Sequence, residues 1–266
     1  MKIAFIGGGN MGEVIASAIL RQDLSTPRAV SISDVDQTRR QYLAETYGVY
    51  ATGSNLEALD RGDVIILAIK PQHLVEVMAE LSGQLKPSQL MLSIVAGARI
   101  QTLQNKLKHH SIVRVMPNTP AQISQGITVW TATAEVSEKQ KVWASSILRT
   151  MGREIYVTDE KYLDMATAVS GSGPAYVFLF MESLVQAAVA IGLPQDIARE
   201  LVFQTVLGSA NFAQSSTDEL NELRRMVTSP GGTTAEAIKI FEQGQFGELV
   251  RQAVVAAYNR ARGLGD

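Results

Sequence analysis

The 266-residue sequence contains no cysteine. Disulfides, thiol nucleophiles and cysteine-ligated metals are therefore excluded. Histidine is almost as scarce: His73, His109 and His110 are the only three, and no His-x-x-x-His or His-Glu pattern occurs. A dedicated metal site is not expected. Charge is sparse too, with 19% charged residues and a net charge of −2. Nucleic acid and anionic membranes call for a basic face, so neither is expected as a partner. The N-terminal Lys2-Ile3-Ala4-Phe5-Ile6 is a strand pattern, without the basic region and cleavage site of a signal peptide. The most apolar run, Pro174–Ile191, has nearly the length of a membrane span, but Glu182, Ser183 and Gln186 interrupt it. That pattern favours a buried helix in a soluble, cytoplasmic protein.

What is present is a core-forming chain. Hydrophobic residues make up 46%, enough for one large domain or two ordinary ones. After the first strand, Gly7-Gly8-Gly9-Asn10-Met11-Gly12 leads into a run at helical spacing, Val14–Leu20. Gly-x-Gly-x-x-Gly between a strand and a helix is the fingerprint of a dinucleotide-binding turn. Gly7 allows the turn, Gly9 lets the backbone approach a pyrophosphate, and Gly12 lets the helix pack on the strand. A second strand, Ala29–Ile32, ends in Ser33-Asp34, with Asp34 22 residues beyond Gly12. A carboxylate there favours NAD through the ribose hydroxyl, whereas Ser33 with Arg39 and Arg40 favours the phosphate of NADP. These residues leave the choice open.

Further strands are expected at Val49–Ala51, Asp63–Ile69, Leu90–Val95, Ile112–Met116, Gly126–Trp130 and Glu154–Val157. Ser54 or Asn55 caps a helix, and Ser137 with Gln140 caps another that runs to Thr150. Strand ends carry Ala68, Lys70 and Pro71, the small residues Ala96-Gly97-Ala98, and Asn118 between two prolines. Alternating strands and helices over 1–157 predict an α/β, Rossmann-type domain with a mostly parallel sheet.

From Asp159 onward no period-two pattern survives, and 158–266 reads as an all-α domain. Helical spacing runs through Tyr162–Val169, Tyr176–Ile191, Asp196–Phe212, Asp218–Met226, Ala235–Glu242 and Phe246–Arg262, with breaks at Gly171–Pro174, Gly192–Pro194, Pro230–Gly232 and Gly244. Tyr176–Ile191 is apolar on nearly every face, which predicts an obligate dimer. Met226–Ile238 holds a turn, Pro230-Gly231-Gly232. Thr233 follows as an expected N-cap, with Glu236 completing a capping box. The helix start is an anion site flanked by the hydroxyls of Thr233 and Thr234. This half has no histidine, and its only lysines are Lys161 and Lys239. Ketone reduction needs a strong general acid or base, and none is obvious. A protonated imine that carries its own carboxylate needs only orientation and a hydride donor.

Along its whole length the chain resembles the pyrroline-5-carboxylate reductase family. The resemblance rests on Phe5–Gly12, Ala68–Gln72, Val115–Pro120, Val169–Tyr176 and Val227–Thr234. It implies reduction of 1-pyrroline-5-carboxylate to L-proline, the last step of proline biosynthesis, with NADPH or NADH and a slight preference for NADPH. It implies a carboxylate site at Gly231, Gly232 and Thr233, beside Val227 and Thr228, and a hydrogen bond from Thr234 to the ring nitrogen. Cofactor-lining positions are Ile6 through Gly12, Ser33, Asp34, Asn55, Ala68 through Pro71, Ile94, Val95, Ala96 and Asn118. Family dimers interlock through their helical domains and often assemble into a decamer. Ser33-Asp34-Val35 departs from the Ser/Asn-Arg pattern of many NADP-preferring members. The alternatives are another imine or β-hydroxyacid reductase of the same plan, and a non-catalytic cofactor sensor. The first is disfavoured because the helix after Gly173 lacks the catalytic lysine of β-hydroxyacid dehydrogenases. The second is disfavoured because the substrate loop is intact.

Overall fold

The structure is a computed structural model, and it describes residues 1–264. It forms two compact units: residues 1–172 with the segment from Ala257 onward, and Gly173–Ala256.

In the first unit every expected strand is present: β1 (Ile3–Ile6), β2 (Val30–Ser33), β3 (Tyr50–Thr52), β4 (Val64–Leu67), β5 (Leu90–Ser93), β6 (Ile112–Met116), β7 (Gly126–Ala132) and β8 (Gly152–Tyr156). They form one sheet in the order β3-β2-β1-β4-β5-β6-β7-β8. All neighbouring pairs are parallel except β6 with β7. The order 3-2-1-4-5-6 is that of the doubly wound dinucleotide fold, with two mononucleotide-binding halves meeting at β1 and β4. Register places Ile6 opposite both Ser33 and Leu67. The three strands therefore end level, and Gly7, Asp34 and Ala68 emerge side by side.

Helices α1 (Asn10–Arg21), α2 (Gln37–Tyr47), α3 (Asn55–Asp60), α4 (Leu74–Leu81), α5 (Ile100–Leu107), α6 (Glu138–Arg149) and α7 (Lys161–Ala166) complete this unit. Alternation along β1 explains the layering. Ile3 and Phe5 share a fully buried cluster with Ile15 and Ile19 of α1, Leu43 of α2 and Ile147 of α6. Ala4 and Ile6 face the other way, onto Leu59 of α3, Met78 of α4 and Leu103 of α5. Ser137 caps α6 in a two-way capping box with Gln140, as its spacing predicts.

After α7 the expected break at Gly171–Pro174 falls on Ser172, a bend before the next helix begins at Gly173. The chain reaches it through a π-helical turn, Thr167–Gly171, and the Ser172 amide donates to the Thr167 carbonyl at 2.8 Å. Pro174 lies in the first turn of the next helix, where an N–H would have no intrahelical partner.

The second unit holds α8 (Gly173–Ala190), α9 (Gln195–Ser215), α10 (Leu220–Met226), α11 (Thr233–Gln243) and the start of α12 (Phe246–Arg262), whose last residues belong to the first unit. Within this unit only Ala198 and Val202 are buried. No residue of α8 is buried, and Phe178 and Leu179 are 63% and 64% exposed. The helix is thus not buried inside its own chain. By length and composition the helical stretch Lys161–Ala190 is apolar enough to cross a membrane, the one such stretch among the described residues.

Candidate active site

The glycine turn is built by close packing. Gly7 has φ +100°, and a Cβ there would lie 2.6 Å from the Ala68 carbonyl oxygen. A Cβ at Gly12 would lie 2.4 Å from the Gly7 carbonyl oxygen, so α1 sits directly on the turn. Gly9 differs: an added Cβ would meet no atom of the chain within 4 Å. Gly9 is also the N-cap of α1, and no side chain caps that helix. The start of α1 therefore combines exposed amides, a favourable dipole and free space, a cradle that fits a pyrophosphate.

Asp34 braces the turn. One carboxylate oxygen accepts from the Gly8 amide and the other from the Asp36 amide, both at 2.9 Å. The Ser33 side chain points into the sheet, 2.7 Å from Asn55 Oδ1 and 3.2 Å from the Phe5 carbonyl oxygen, and is fully buried. Its hydroxyl is not offered to a cofactor phosphate. Asn55 donates its amide to Glu80 at 2.6 Å. The two arginines of α2 divide in role. Arg39 donates to the Gly8 carbonyl at 2.6 Å and pairs with Glu13. Burial pushes the Glu13 carboxyl up, but hydrogen bonds from Tyr47, Arg39 and Tyr42 outweigh it and hold the group below the usual carboxylate range. Arg40 has no carboxylate partner among the described residues. It donates to the carbonyls of Asp34 and Val35 at 2.8 and 3.0 Å, with Gly53 alongside.

A cleft of about 570 Å³ opens at these strand ends. Of the expected residues, Gly7, Gly9, Ser33, Asp34, Asn55, Ala68, Ile69 and Lys70 line it. Ile6, Gly8, Asn10, Met11, Gly12, Pro71, Ile94, Val95, Ala96 and Asn118 do not. Ile6 and Val95 are core residues. Asn118 accepts from the Ile127 amide at 2.9 Å and so holds its turn to β7. Sequence reasoning passed over His73, Glu76, Val77 and Glu80, which line the cleft from α4 and its approach. Their spacing of three, four and seven residues marks one helix face after a strand end, and that was the available signal. No cluster of three potential metal ligands exists among the described residues.

In the second unit, Pro230 and Gly231 occupy the middle of a turn closed by the Gly232 amide on the Ser229 carbonyl at 3.0 Å. Gly231 has φ +71°, as the third position of a type II turn requires. The capping box expected at Thr233 and Glu236 does not form. Gly232, in extended conformation, is the N-cap of α11, and no side chain caps the helix. Thr233 and Thr234 are its first two residues, and Glu236 falls one place beyond the box position. The correction strengthens the anion site, because the first-turn amides remain open to a ligand. Thr228 donates to the Arg224 carbonyl at 2.6 Å and closes α10, while Val227 is exposed.

The sheet order, the glycine turn and the cleft define a dinucleotide-binding oxidoreductase. Residues 2–97 match a family model described as NADP oxidoreductase, coenzyme F420-dependent, and residues 160–264 match one described as pyrroline-5-carboxylate reductase dimerisation. The pyrroline-5-carboxylate reductase of Pseudomonas aeruginosa is 41% identical over 266 residues, covering 100% of this chain and 97% of that protein. A solved pyrroline-5-carboxylate reductase from Coxiella burnetii superposes with TM-score 0.90 at 37% identity, covering 100% and 98% of the two chains. That of Plasmodium falciparum, solved with NADP bound, gives TM-score 0.91 at 31% identity, with the same coverage. The chain belongs to the pyrroline-5-carboxylate reductase family.

Proposed function

We propose that the chain reduces 1-pyrroline-5-carboxylate to L-proline, completing proline biosynthesis. The observation that carries this reading is the uncapped start of α11, which can hold a carboxylate on backbone amides with two threonine hydroxyls beside it. Full-length similarity to relatives named for this reaction supports it. The amides of Thr233 and Thr234 anchor the substrate carboxylate, with Gly231 and Gly232 giving the turn its shape. Thr234, half-buried at the second helical position, hydrogen-bonds the ring nitrogen and orients the carbon–nitrogen double bond. When bound in the first unit, a reduced nicotinamide supplies the hydride to the imine carbon, leaving the secondary amine of proline. The first-turn amides of α1 hold the pyrophosphate, and Asp34 keeps the glycine turn in shape. No histidine or cysteine in the helical half is needed, since the substrate brings its own proton.

Thr234→Ala tests this assignment. Turnover should fall roughly 10- to 100-fold, the scale of one hydrogen bond to a charged group, with dinucleotide affinity unchanged. Unaltered turnover would remove Thr234 from the reaction.

Arg40 supports NADPH as the preferred cofactor. It is held beside the cleft residues Asp34, Val35 and Gly53 with guanidinium donors to spare, whereas Arg39 is neutralised by Glu13. Arg40→Ala should raise the KM for NADPH roughly 10-fold or more and barely move that for NADH. An equal effect on both cofactors would contradict the preference.

The exposed apolar surface of α8 supports burial between two copies rather than in a lipid bilayer, and the dimerisation model over 160–264 supports the same reading. On this reading the chain is a cytoplasmic enzyme, dimeric or built of dimers into a decamer.

A further inference from the structure

The loop after β5, residues 94–99, leaves the sheet in the half of the fold that receives the nicotinamide end of a dinucleotide. Three successive points on this loop and the helix after it are held from outside the strand-and-loop framework. At Gly97, φ is +77°, and a Cβ would lie 2.7 Å from the Leu264 carbonyl oxygen and 2.8 Å from its carbonyl carbon. The backbone beyond α12 therefore lies directly against the loop. Two residues on, Arg99 donates to the Arg262 carbonyl at 3.3 Å. At the next residue, the Ile100 amide donates to Glu160 Oε1 at 2.9 Å, so a carboxylate from outside caps the start of α5. Glu160 is itself fixed, because Arg114 donates to it and to Asp164, both at 2.8 Å. The Arg114 side chain is only 5% exposed, and a charge buried so deeply is costly to leave without its two carboxylate partners. All these residues belong to the first unit.

We infer that the segment Arg262–Leu264, together with Glu160, is a positioning element that sets the β5–α5 loop for the nicotinamide half of the cofactor. The adenosine half depends on other parts, namely the glycine turn, Asp34 and Arg40. Among the described residues, the hydrogen bonds of Asp34 and Arg40 go to neither Arg262–Leu264 nor Glu160. The inference rests on the dinucleotide reading of the cleft, and it adds that the two halves of the cofactor are supported independently.

Two ligands separate the halves: NADPH, and 2′-phospho-ADP-ribose, which is the same molecule without its nicotinamide ring. Calorimetry would measure both on the full chain, on a chain shortened to end at Arg262, and on Gly97→Ala. The shortened chain should bind NADPH about tenfold more weakly, the scale on which small misplacements act. Its affinity for 2′-phospho-ADP-ribose should stay within about twofold, whereas kcat should fall together with the affinity for NADPH. Gly97→Ala in the full chain should show the same split, because its methyl group pushes against Leu264. In the shortened chain the same substitution should cost less, since the wall is gone. Should the shortened chain fail to fold, the split in Gly97→Ala decides the matter alone. Parallel losses for both ligands, or no loss for either, would overturn the inference. A full chain that binds neither ligand would instead overturn the cofactor reading beneath it.

Discussion

A methyl group added at Gly9 meets no atom of the chain within 4 Å, and the residue's φ of −65° suits any amino acid. Gly9→Ala should therefore leave the melting temperature unchanged while raising the KM for the dinucleotide, because the only thing the methyl group can obstruct is a ligand. A melting temperature lowered by several degrees would show that Gly9 serves the fold instead. Thr128 poses the opposite case. Its hydroxyl is fully buried and has no hydrogen-bond partner among the described residues. A desolvated hydroxyl left alone costs about 1–3 kcal/mol. Thr128→Val keeps the shape and removes the hydroxyl, so it should raise stability by about 1 kcal/mol, roughly 2–4 °C in Tm. Glu13 governs acid sensitivity. Although burial raises it, its hydrogen bonds from Tyr47, Arg39 and Tyr42 hold the folded carboxyl below its unfolded value. A depressed folded value means stability that is present above the ordinary glutamate pKa of about 4.3 and lost as pH falls through the folded value. Glu13→Gln should be less stable than the parent at neutral pH, with the gap closing on acidification. Melting curves from pH 7 downward check this, and a gap independent of pH would contradict it.

Helix starts and strands differ in how openly the sequence announces them. Every strand is legible because a parallel strand buried on both faces must be a short apolar run bounded by turn residues. Ser137 and Gln140 likewise announce the capping box that α6 forms, and Ser137→Ala should cost about 1 kcal/mol in denaturant unfolding. Thr233 and Glu236 show the same spacing, yet the Gly232 backbone takes the cap position and the box fails. Local pattern could not decide between them, because the preceding turn sets where the helix begins. Gly171–Pro174 announces the break before α8, but the π turn at Thr167–Gly171 that leads into it has no local signal of its own. Ser33 and Asp34 were legible as cleft residues. That the serine turns inward and the aspartate braces Gly8 depends on Phe5, Asn55 and the glycine turn, which are distant in sequence. The packing of Leu264 on Gly97 leaves no local trace at all.

For the whole molecule, the contrast between the two units carries the functional meaning. The sheet unit completes its own core on both faces, while in the helical unit only Ala198 and Val202 are buried. On the dimer reading, such a unit owes its stability to a second copy, as the dimerisation family match supports. Sedimentation should find no folded monomer even at low concentration, and the melting temperature should rise with protein concentration. The central claim, however, is chemical: a carboxylate-bearing cyclic imine is reduced by a nicotinamide cofactor without a titrating side chain from the helical half. The most direct measurement follows the oxidation of NADPH, and separately of NADH, on adding 1-pyrroline-5-carboxylate, with proline quantified at the end. The expected result is one proline formed per cofactor oxidised, faster with NADPH. A folded protein that binds NADPH but shows no oxidation dependent on this imine would contradict the account.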